Sequence, residues 1–205
     1  MASIYDIKPK FQDLLRPLAK NLAKAGITAN RVTFSAIILS FIAGGLIVFF
    51  RENEKILFII PAVLFVRMAL NAIDGMLARE FGMKTSFGAV LNELGDVFSD
   101  IALYLPFALI KDINGMCVVA IVLLGVISEM AGVVSVQIGG QRKYNGPMGK
   151  SDRAFVFGLL SLLIGFGLFT ARIYTIILGI IAVLLLLTIV NRIRSALCEV
   201  SKNAV

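Results

Sequence analysis

The sequence predicts an all-α integral membrane protein, in which six transmembrane helices follow an N-terminal interfacial amphipathic helix. Of its 205 residues, 59% are hydrophobic and only 16% are charged, whereas a soluble domain carries roughly 25% charged residues. Apolar runs recur throughout the chain at lengths close to the ~20 residues that a helix needs to cross a bilayer. The mean hydropathy of +0.92 agrees with this class.

The first 30 residues have the pattern of a helix that lies on the membrane surface. Apolar residues recur at helical spacing between positions 4 and 22, and cations stand between them. This alternation is typical of an interfacial helix whose apolar face enters the headgroup region. A helix that binds a partner protein is the alternative interpretation. Gly26 ends the segment. The interleaved cations are Lys8, Lys10, Arg16, Lys20 and Lys24.

The rest of the chain is predicted to form one six-helix bundle over residues 31–195, followed by a cytoplasmic tail at 196–205. The predicted spans are 32–50, 56–78, 87–110, 114–138, 154–170 and 173–191. Basic residues concentrate in alternate loops and at both ends, which predicts a multi-pass protein of the cell membrane with both termini in the cytoplasm. Because these cations are scattered among loops, nucleic acid is not an expected partner. Histidine is absent, which excludes Ser-His-Asp catalysis and His-ligated metal sites.

A polar hairpin interrupts the apolar sequence across predicted spans 2 and 3. Polar groups inside a membrane are costly and mark function by default. Counting depth from the cytoplasmic turn at 1.5 Å per residue pairs Asn71 with Asp96 at about 12–14 Å, and Arg67 with Asp100 at about 18–20 Å. Asp74 is paired with Asn92 by the same count. These oxygen-bearing side chains predict a site for a hard divalent cation, with hydrogen-bonded helix packing as the alternative.

At these residues the chain resembles the CDP-alcohol phosphotransferase (CDP-alcohol phosphatidyltransferase) family. The family motif is D-x2-D-G-x2-A-R-x8-G-x3-D-x3-D, and Asp74-Gly75, Ala78-Arg79, Gly88 and Asp96 match it at the required spacing. The resemblance implies metal binding by Asn71, Asp74, Asn92 and Asp96, with Mg²⁺ or Mn²⁺ as cofactor and Asp96 as general base. It implies nucleotide binding by Asp74, Gly75, Ala78, Arg79 and Gly88, and a homodimeric enzyme.

The expected function is a phospholipid-synthesis transferase that moves a phosphatidyl group from CDP-diacylglycerol to a polar alcohol and releases CMP. Two alternatives stay open. One is an amino-alcohol phosphotransferase that uses a CDP-linked headgroup and diacylglycerol, and the other is an inactive membrane protein that binds a nucleotide. Asn71 and Asn92 stand where the family has aspartates, so the first shell of a metal loses two negative charges. This departure indicates weaker metal binding, one metal instead of two, or lost activity.

Further polar residues are candidates for an accessory or acceptor-binding role. Glu129, within predicted span 4, could add a carboxylate to the site, orient the acceptor or pair with Arg67, while Asp100 could pair with Arg67. The loop between spans 4 and 5 carries four cations that could bind an acceptor phosphate or the donor diphosphate, or could reflect the positive-inside rule alone. These cations are Arg142, Lys143, Lys150 and Arg153. Asn30 and Thr33 open span 1 near the expected nucleotide site.

Overall fold

A computed structural model describes residues 4–203, with side chains from Phe11 to Lys202, and confirms the all-α class. These residues form seven α-helices and two short 3₁₀ helices, and no strand occurs among them. The side chains at positions 4 and 7, and those of Lys8 and Lys10, belong to the predicted interfacial pattern but are outside the described range. The α-helices are α1 Ile4–Lys24, α2 Ala29–Phe49, α3 Ile60–Glu80, α4 Ser86–Tyr104, α5 Gly115–Gln137, α6 Lys150–Gly165 and α7 Ala171–Asn203; the 3₁₀ helices are Glu54–Ile59 and Leu105–Leu109.

A helix begins near each of the six predicted spans, but only four segments in the described part are long and apolar enough to cross a membrane. These four are Ala29–Phe49, Glu54–Glu80, Gly115–Gln137 and Ala171–Lys202. The helix α4 carries three carboxylates within 19 residues, and α6 has 16 residues. At 1.5 Å per residue, α6 reaches about 24 Å, short of the ~30 Å hydrocarbon core. The prediction of six spans is therefore confirmed only for four.

The chain divides into two compact units. The first consists of the described part of Met1–Ala43 together with Ala62–Leu103, and the second consists of Gly44–Pro61 and Tyr104–Val205 as far as it is described. The first unit contains α1, most of α2 and α3, and α4 up to Leu103. The motif residues of the polar hairpin all belong to this first unit, whereas Glu129 and the cations of the loop after α5 belong to the second.

In the first unit, α1 packs through one face onto α2 and α3. Ala19 of α1 is fully buried in a cluster with Val32, Ile73 and other apolar residues, and Leu15 and Leu22 pack against the same cluster. The remaining apolar side of α1 is exposed; Leu14, for example, keeps 75% of its surface accessible. The apolar residues of α1 therefore fall into two groups, because some pack against α2 and α3 and others remain exposed.

A tight turn joins α3 to α4 and fixes the ends of both helices. Gly82 adopts φ +67°, a left-handed conformation that glycine takes without steric cost. The chain then returns so that the amide of Met83 donates to the carbonyl of Leu77 at 3.3 Å, which satisfies one of the last four carbonyls of α3. Thr85 caps the N-terminus of α4, since its hydroxyl accepts from the amide of Gly88 at 2.9 Å. The motif residues of both helices are thereby held next to a defined turn.

The second unit is built around α5, α6 and α7. An aromatic cluster forms its apolar core, in which Tyr104 stacks on Phe157 with ring centroids 4.1 Å apart and Phe107 meets the same ring edge-on at 5.3 Å. The hydroxyl of Tyr174 donates to the carbonyl of Leu163 at 2.9 Å and ties α7 to α6. Gly165 gives room for the ring of Phe58, because a Cβ there would lie 2.9 Å from it.

The last helix is longer than predicted. The predicted sixth span ends at residue 191 and the predicted tail covers 196–205, whereas α7 continues to Asn203. After Gly179 the chain contains neither glycine nor proline to stop a helix. Arg192, which follows the predicted sixth span, is 1% exposed. The predicted span ends just before Arg192 because this is the first charged residue after the apolar run, but its side chain is buried in the protein.

Candidate active site

The buried pair Arg67–Asp100 lies at the end of the polar hairpin farthest from the turn. Nη1 of Arg67 donates to Oδ1 of Asp100 at 2.7 Å, and Nη2 donates to the carbonyl of Asp96 at 3.2 Å. Oδ1 of Asp96 lies 3.8 Å from the same Nη2. The pair predicted from helix depth is confirmed. Arg67 neutralises Asp100 and holds the backbone of α4 at the residue expected to act as general base.

Asn71 and Asp96 meet one helical turn nearer to the loop that joins α3 to α4. Nδ2 of Asn71 donates to Oδ1 of Asp96 at 3.5 Å, so the second pair expected from depth also meets. The side chain of Asp96 keeps 25% of its surface accessible, and a substrate can reach it. Asn92 precedes Asp96 by one helical turn on the same face of α4 and is half-buried.

Asp74 is the buried carboxylate of the motif. It is 5% exposed, and its Oδ2 accepts a hydrogen bond of 2.7 Å from the hydroxyl of Thr33. Thr33 lies on α2 and is itself 7% exposed. A hydrogen bond to a carboxylate is stronger than one between neutral groups. The site is therefore built from three helices, since α2 contributes a side chain to it.

Arg79 folds back along α3 over Gly75. A Cβ on Gly75 would lie 2.9 Å from Nη2 of Arg79, so only glycine at this position leaves full room for the guanidinium. Arg79 itself is exposed at the end of the helix, where its planar donors can reach a phosphate. Ala78 packs on the apolar cluster beneath α1. A larger side chain there would displace α1 or the end of α3.

Gly88 gives room for Asn30 at the start of α4. A Cβ on Gly88 would lie 2.5 Å from Oδ1 of Asn30, whose Nδ2 donates to the hydroxyl of Thr85 at 3.4 Å. Both glycines of the motif thus accommodate polar side chains of the same unit. Asn30, Thr33 and Ile37 share one face of α2, at i, i+3 and i+7. This face of α2 forms a third wall of the site, beside α3 and α4.

The donor set of the hairpin consists of hard oxygen ligands. Among residues 4–203, no group of three or more His, Cys, Asp or Glu side chains could hold a metal ion. This agrees with the two asparagines of the motif, because Asp74 and Asp96 are then its only carboxylates at the expected ligand positions. The expected ligand set also includes the carboxamide oxygens of Asn71 and Asn92, and oxygen ligands of this kind suit Mg²⁺ and Mn²⁺.

In the second unit, Glu129 lies at the centre of an arginine cluster. Its Oε1 accepts from Nη2 of Arg153 at 2.9 Å, and its Oε2 accepts from Nη2 of Arg142 at 3.2 Å. Nη1 of Arg192 lies 3.4 Å from Oε2 and also donates to the carbonyl of Ser128. Three guanidinium groups thus surround the one carboxylate of Glu129. Sequence reasoning identified Glu129, Arg142 and Arg153 as candidates but did not include Arg192, which follows the predicted sixth span.

The other candidate cations of the loop after α5 are also placed. Lys143 forms an ion pair with Glu199 of α7, a residue that the sequence analysis did not single out. Lys150 is half-buried in the first turn of α6. The helix is capped by Asp152, whose Oδ2 accepts from the amide of Gly149 at 2.9 Å. Arg192 could have been found from sequence, since an arginine that follows a long apolar run is a candidate for an interior role.

These features define a helical membrane protein with a cluster of polar and charged side chains at a helix hairpin. A family model described as CDP-alcohol phosphatidyltransferase matches residues 26–197, and the chain belongs to that family of transferases. It is 44% identical over 195 residues to the inner membrane protein YnbA of Escherichia coli, covering 95% of this chain and 96% of that protein. It is also 34% identical over 103 residues to the archaetidylinositol phosphate synthase of Pyrococcus horikoshii, about half of each chain (50% and 52%).

Solved structures of the phosphatidylinositol phosphate synthase of Mycobacterium tuberculosis have the same fold. The complex with CDP-DAG superposes with a TM-score of 0.74 at 20% identity, covering 88% of this chain and 92% of that chain. The complex with manganese and citrate superposes with a TM-score of 0.72 at 22% identity, covering 88% and 87% of the two chains. At this level of identity, the likeness establishes the fold of the chain.

Proposed function

We propose that the protein transfers a phosphatidyl group from CDP-diacylglycerol to the hydroxyl of a polar alcohol and releases CMP. One observation carries the proposal: Asn71 and Asp96 meet across α3 and α4 at 3.5 Å, with Asp74 and Arg79 on the same hairpin at the family spacing. Because Asp96 is partly accessible, it can take part in chemistry as well as in helix packing. The CDP-DAG bound by the Mycobacterium tuberculosis relative supports the choice of donor.

The residues present fit one divalent cation, Mg²⁺ or Mn²⁺. Asp74 and Asp96 supply two negative charges, which balance the charge of one such ion, and Asn71 and Asn92 supply neutral oxygens. Arg67 lies closer to Asp100, at 2.7 Å, than to Asp96, at 3.8 Å, so its charge mainly balances Asp100. When bound, the cation would neutralise the diphosphate and polarise its P–O bonds. The manganese complex of the Mycobacterium tuberculosis relative supports this assignment.

The chain's own groups would carry the transfer as follows. Asp96 accepts the proton of the acceptor hydroxyl while the hydroxyl oxygen forms a bond to the phosphorus of the phosphatidyl group. The bond between that phosphorus and the oxygen of CMP breaks, and CMP leaves with the electron pair. Positioning and charge neutralisation supply most of the rate in such transfers. Arg79 would hold a phosphate of the donor, and the small residues Gly75, Ala78 and Gly88 would leave room for the nucleotide.

The acceptor is the next part of the proposal, and the candidate cations of the second unit are largely paired within that unit. Glu129 neutralises part of the charge of Arg142 and Arg153, and Glu199 pairs with Lys143. The relatives from Pyrococcus horikoshii and Mycobacterium tuberculosis are named archaetidylinositol phosphate synthase and phosphatidylinositol phosphate synthase, which supports an acceptor that carries a phosphate. We therefore place phosphorylated alcohols first among the acceptors to be tested.

We also propose six membrane crossings in the cytoplasmic membrane, with the termini and the hairpin turn on the cytoplasmic side. The basic loops after α3 and after α5, together with the basic N-terminal segment, support this orientation. The helices α4 and α6 would be the two crossings beyond the four that length and composition identify. The name of the Escherichia coli relative supports the inner membrane. A homodimer is part of the proposal, and light scattering of the detergent-solubilised protein tests it.

The test is CMP release by the purified full chain from CDP-diacylglycerol. Phosphorylated and neutral alcohols are supplied in turn, with and without Mg²⁺ or Mn²⁺. Metal-dependent release that Asp96→Asn lowers at least about 100-fold supports the transferase, because a positioned general base contributes on the order of 10²–10⁴ in rate. Asp112→Asn is the matched control, since Asp112 lies on an exposed turn at φ +61°, where asparagine fits equally well.

The same assay decides between the alternatives. CMP release only from a CDP-linked headgroup with diacylglycerol would identify an amino-alcohol phosphotransferase. A folded protein that releases no CMP from either donor, with every acceptor and metal, would contradict the enzymatic proposal. The two asparagines of the motif would then mark a membrane protein that has kept the fold without the reaction.

A further inference from the structure

The hydrogen bond between Thr33 and Asp74 stands out among the polar contacts of α2. The hydroxyl of Thr33 lies 2.7 Å from Oδ2 of Asp74 and 3.1 Å from the carbonyl of Ala29. A threonine inside a helix commonly donates to the carbonyl four residues earlier. Here the shorter distance leads to a charged acceptor, and the charge makes that bond the stronger one. Thr33 therefore acts between helices.

The position of Thr33 is fixed by close packing of α2 on α4. A Cβ on Gly95 would lie 2.5 Å from Cδ1 of Ile37 and 4.0 Å from Cγ2 of Thr33. Gly95 immediately precedes Asp96 in the sequence. The same face of α2 thus contacts α4 beside one motif carboxylate and donates a hydrogen bond to the other. The β-branched side chain of Thr33 also has few rotamers available in a helix.

A hydroxyl donor affects a carboxylate differently from a cation. Arg67 neutralises Asp100 at 2.7 Å, and a neutralised carboxylate attracts a metal ion weakly. The hydroxyl of Thr33 can orient Asp74 without supplying a positive charge. Partners of this kind, which hold a ligand through a hydrogen bond, commonly change metal affinity about 10–100-fold when removed.

We propose that Thr33 is a positioning residue for the divalent metal site, and that it holds the carboxylate of Asp74 in its ligating orientation. This inference rests on the proposed function in one respect, namely that Asp74 binds the cation. Thr33 itself contacts neither substrate nor metal. Its role would be to reduce the conformational freedom of a ligand that must otherwise be ordered when the cation binds.

The experiment measures Mn²⁺ binding to the purified full chain by electron paramagnetic resonance titration, independently of turnover. Thr33→Val keeps the shape of the side chain and removes the donor, and we expect it to raise the Kd for Mn²⁺ about tenfold. Thr33→Ser restores the donor and should return the Kd to within about threefold of the original. Ser40→Ala is the matched control, because Ser40 is a fully buried hydroxyl of α2 that donates to the carbonyl of Ala36 at 2.8 Å.

The activity assay adds a second readout. We expect Thr33→Val to raise the Mn²⁺ concentration needed for half-maximal CMP release while leaving the KM for the acceptor alcohol unchanged. A loss of packing alone would lower the thermal midpoint of unfolding without a matching change in Mn²⁺ affinity. If Thr33→Val does not fold, Thr33→Cys replaces it, since a thiol has nearly the size of serine and is only a weak donor.

The outcomes separate the inference from the proposal on which it rests. If the unaltered chain binds Mn²⁺, Asp74→Asn abolishes that binding and Thr33→Val leaves the Kd unchanged, the positioning role is wrong and the metal site stands. If the unaltered chain binds no Mn²⁺, both the metal site and the role of Thr33 are wrong. A Kd that rises equally in Thr33→Val and Ser40→Ala would also overturn the inference.

Discussion

The guanidinium of Arg16 donates two parallel hydrogen bonds to the carboxylate of Glu80, from Nε to Oε2 at 3.1 Å and from Nη2 to Oε1 at 3.2 Å. Paired bonds of this geometry fix orientation as well as distance. Hydrogen bonding to Glu80, and then to Asp13, raises the pKa of Arg16 above its ordinary value. Glu80 follows Arg79 directly in the sequence. The ion pair therefore joins α1 to the end of α3, next to the arginine that we propose binds a phosphate of the donor.

Breaking this pair should loosen α1 without unfolding the unit. Arg16→Gln and Glu80→Gln are each expected to speed tryptic cleavage at Lys20, which is exposed on α1. The double variant should be cleaved no faster than either single variant, because the two groups act through one contact. The pair is partly exposed, so the thermal midpoint should change little.

The control is a second exposed pair, Arg51 and Glu52, which are neighbours in sequence and 3.3 Å apart. Arg51→Gln and Glu52→Gln should leave cleavage of α1 unchanged. The increase in cleavage rate is compared between the single variants and the Arg16→Gln/Glu80→Gln double variant. If the increase in the double variant equals the product of the two single increases, the contact does not hold α1 in place.

Replacing Asn71 by aspartate should make folding depend on metal. The amide of Asn71 donates to Asp96 at 3.5 Å, and a carboxylate there would repel Asp96 until a cation binds between them. We expect Asn71→Asp to lower the thermal midpoint without metal and to bind Mn²⁺ at least about tenfold more tightly. Thermal unfolding with increasing Mn²⁺ measures both effects, because binding to the folded state raises the midpoint.

Asn114→Asp is the matched substitution, since Asn114 caps α5 through an oxygen that aspartate retains. Its thermal midpoint should not respond to Mn²⁺ beyond the response of the unaltered chain. An Asn71→Asp variant that gains no stability from Mn²⁺ would mean that Asn71 is not a metal position.

Gly95→Ala should disturb the contact between α2 and α4. Its Cβ would lie 2.5 Å from Cδ1 of Ile37, and we expect a loss of stability of about 1–3 kcal/mol, as for other overpacked cores. The displacement should also lower CMP release, since Asp96 is the next residue. Ile37→Val removes Cδ1, and the Gly95→Ala/Ile37→Val double variant should regain most of the stability and activity.

Gly45→Ala, also on α2, provides the comparison. A Cβ on Gly45 meets no atom within 4 Å, so this change should be neutral or slightly stabilising, because alanine favours the helix. Equal losses in Gly45→Ala and Gly95→Ala, measured by thermal unfolding, would show that helix propensity and not the contact with Ile37 is responsible.

Glu129→Gln should destabilise the second unit strongly. It leaves Arg142, Arg153 and Arg192 around a neutral side chain, and removing one partner from a buried ionic group costs about 3–5 kcal/mol. Added phosphate or sulfate should restore part of the thermal stability by supplying negative charge. Glu199→Gln, which removes a partly exposed ion pair with Lys143, should have a smaller effect and no response to phosphate.

The depth count along α3 and α4 predicted the contacts Arg67–Asp100 and Asn71–Asp96 because both follow from helix geometry and one short turn. Both depend on local spacing, which the sequence contains directly. The four clearly apolar spans were predicted for the same reason, since composition and length are sufficient evidence for them.

The contributions of α2 and α7 depended on contacts between distant segments. Thr33 donates to Asp74 across 41 residues, and no local pattern states which face of α2 will meet α3. The amphipathic pattern of α1 did not distinguish a lipid surface from the protein surface that Leu15 and Leu22 cover. Arg192 was misassigned because a charged residue after an apolar run looks like the end of a span, and its partner Glu129 belongs to another helix.

The arginine cluster around Glu129 imposes an order on biosynthesis. Glu129 leaves the ribosome before Arg142, Arg153 and Arg192, so α5 enters the membrane with a carboxylate that has not yet met these cations. An uncompensated charge in lipid is unfavourable, and α7 provides the last of the three arginines. The ion pairs with Arg142 and Arg153 can form earlier, whereas the contact with Arg192 requires that the chain be made as far as α7. The cluster is therefore complete only after the last helix has been synthesised.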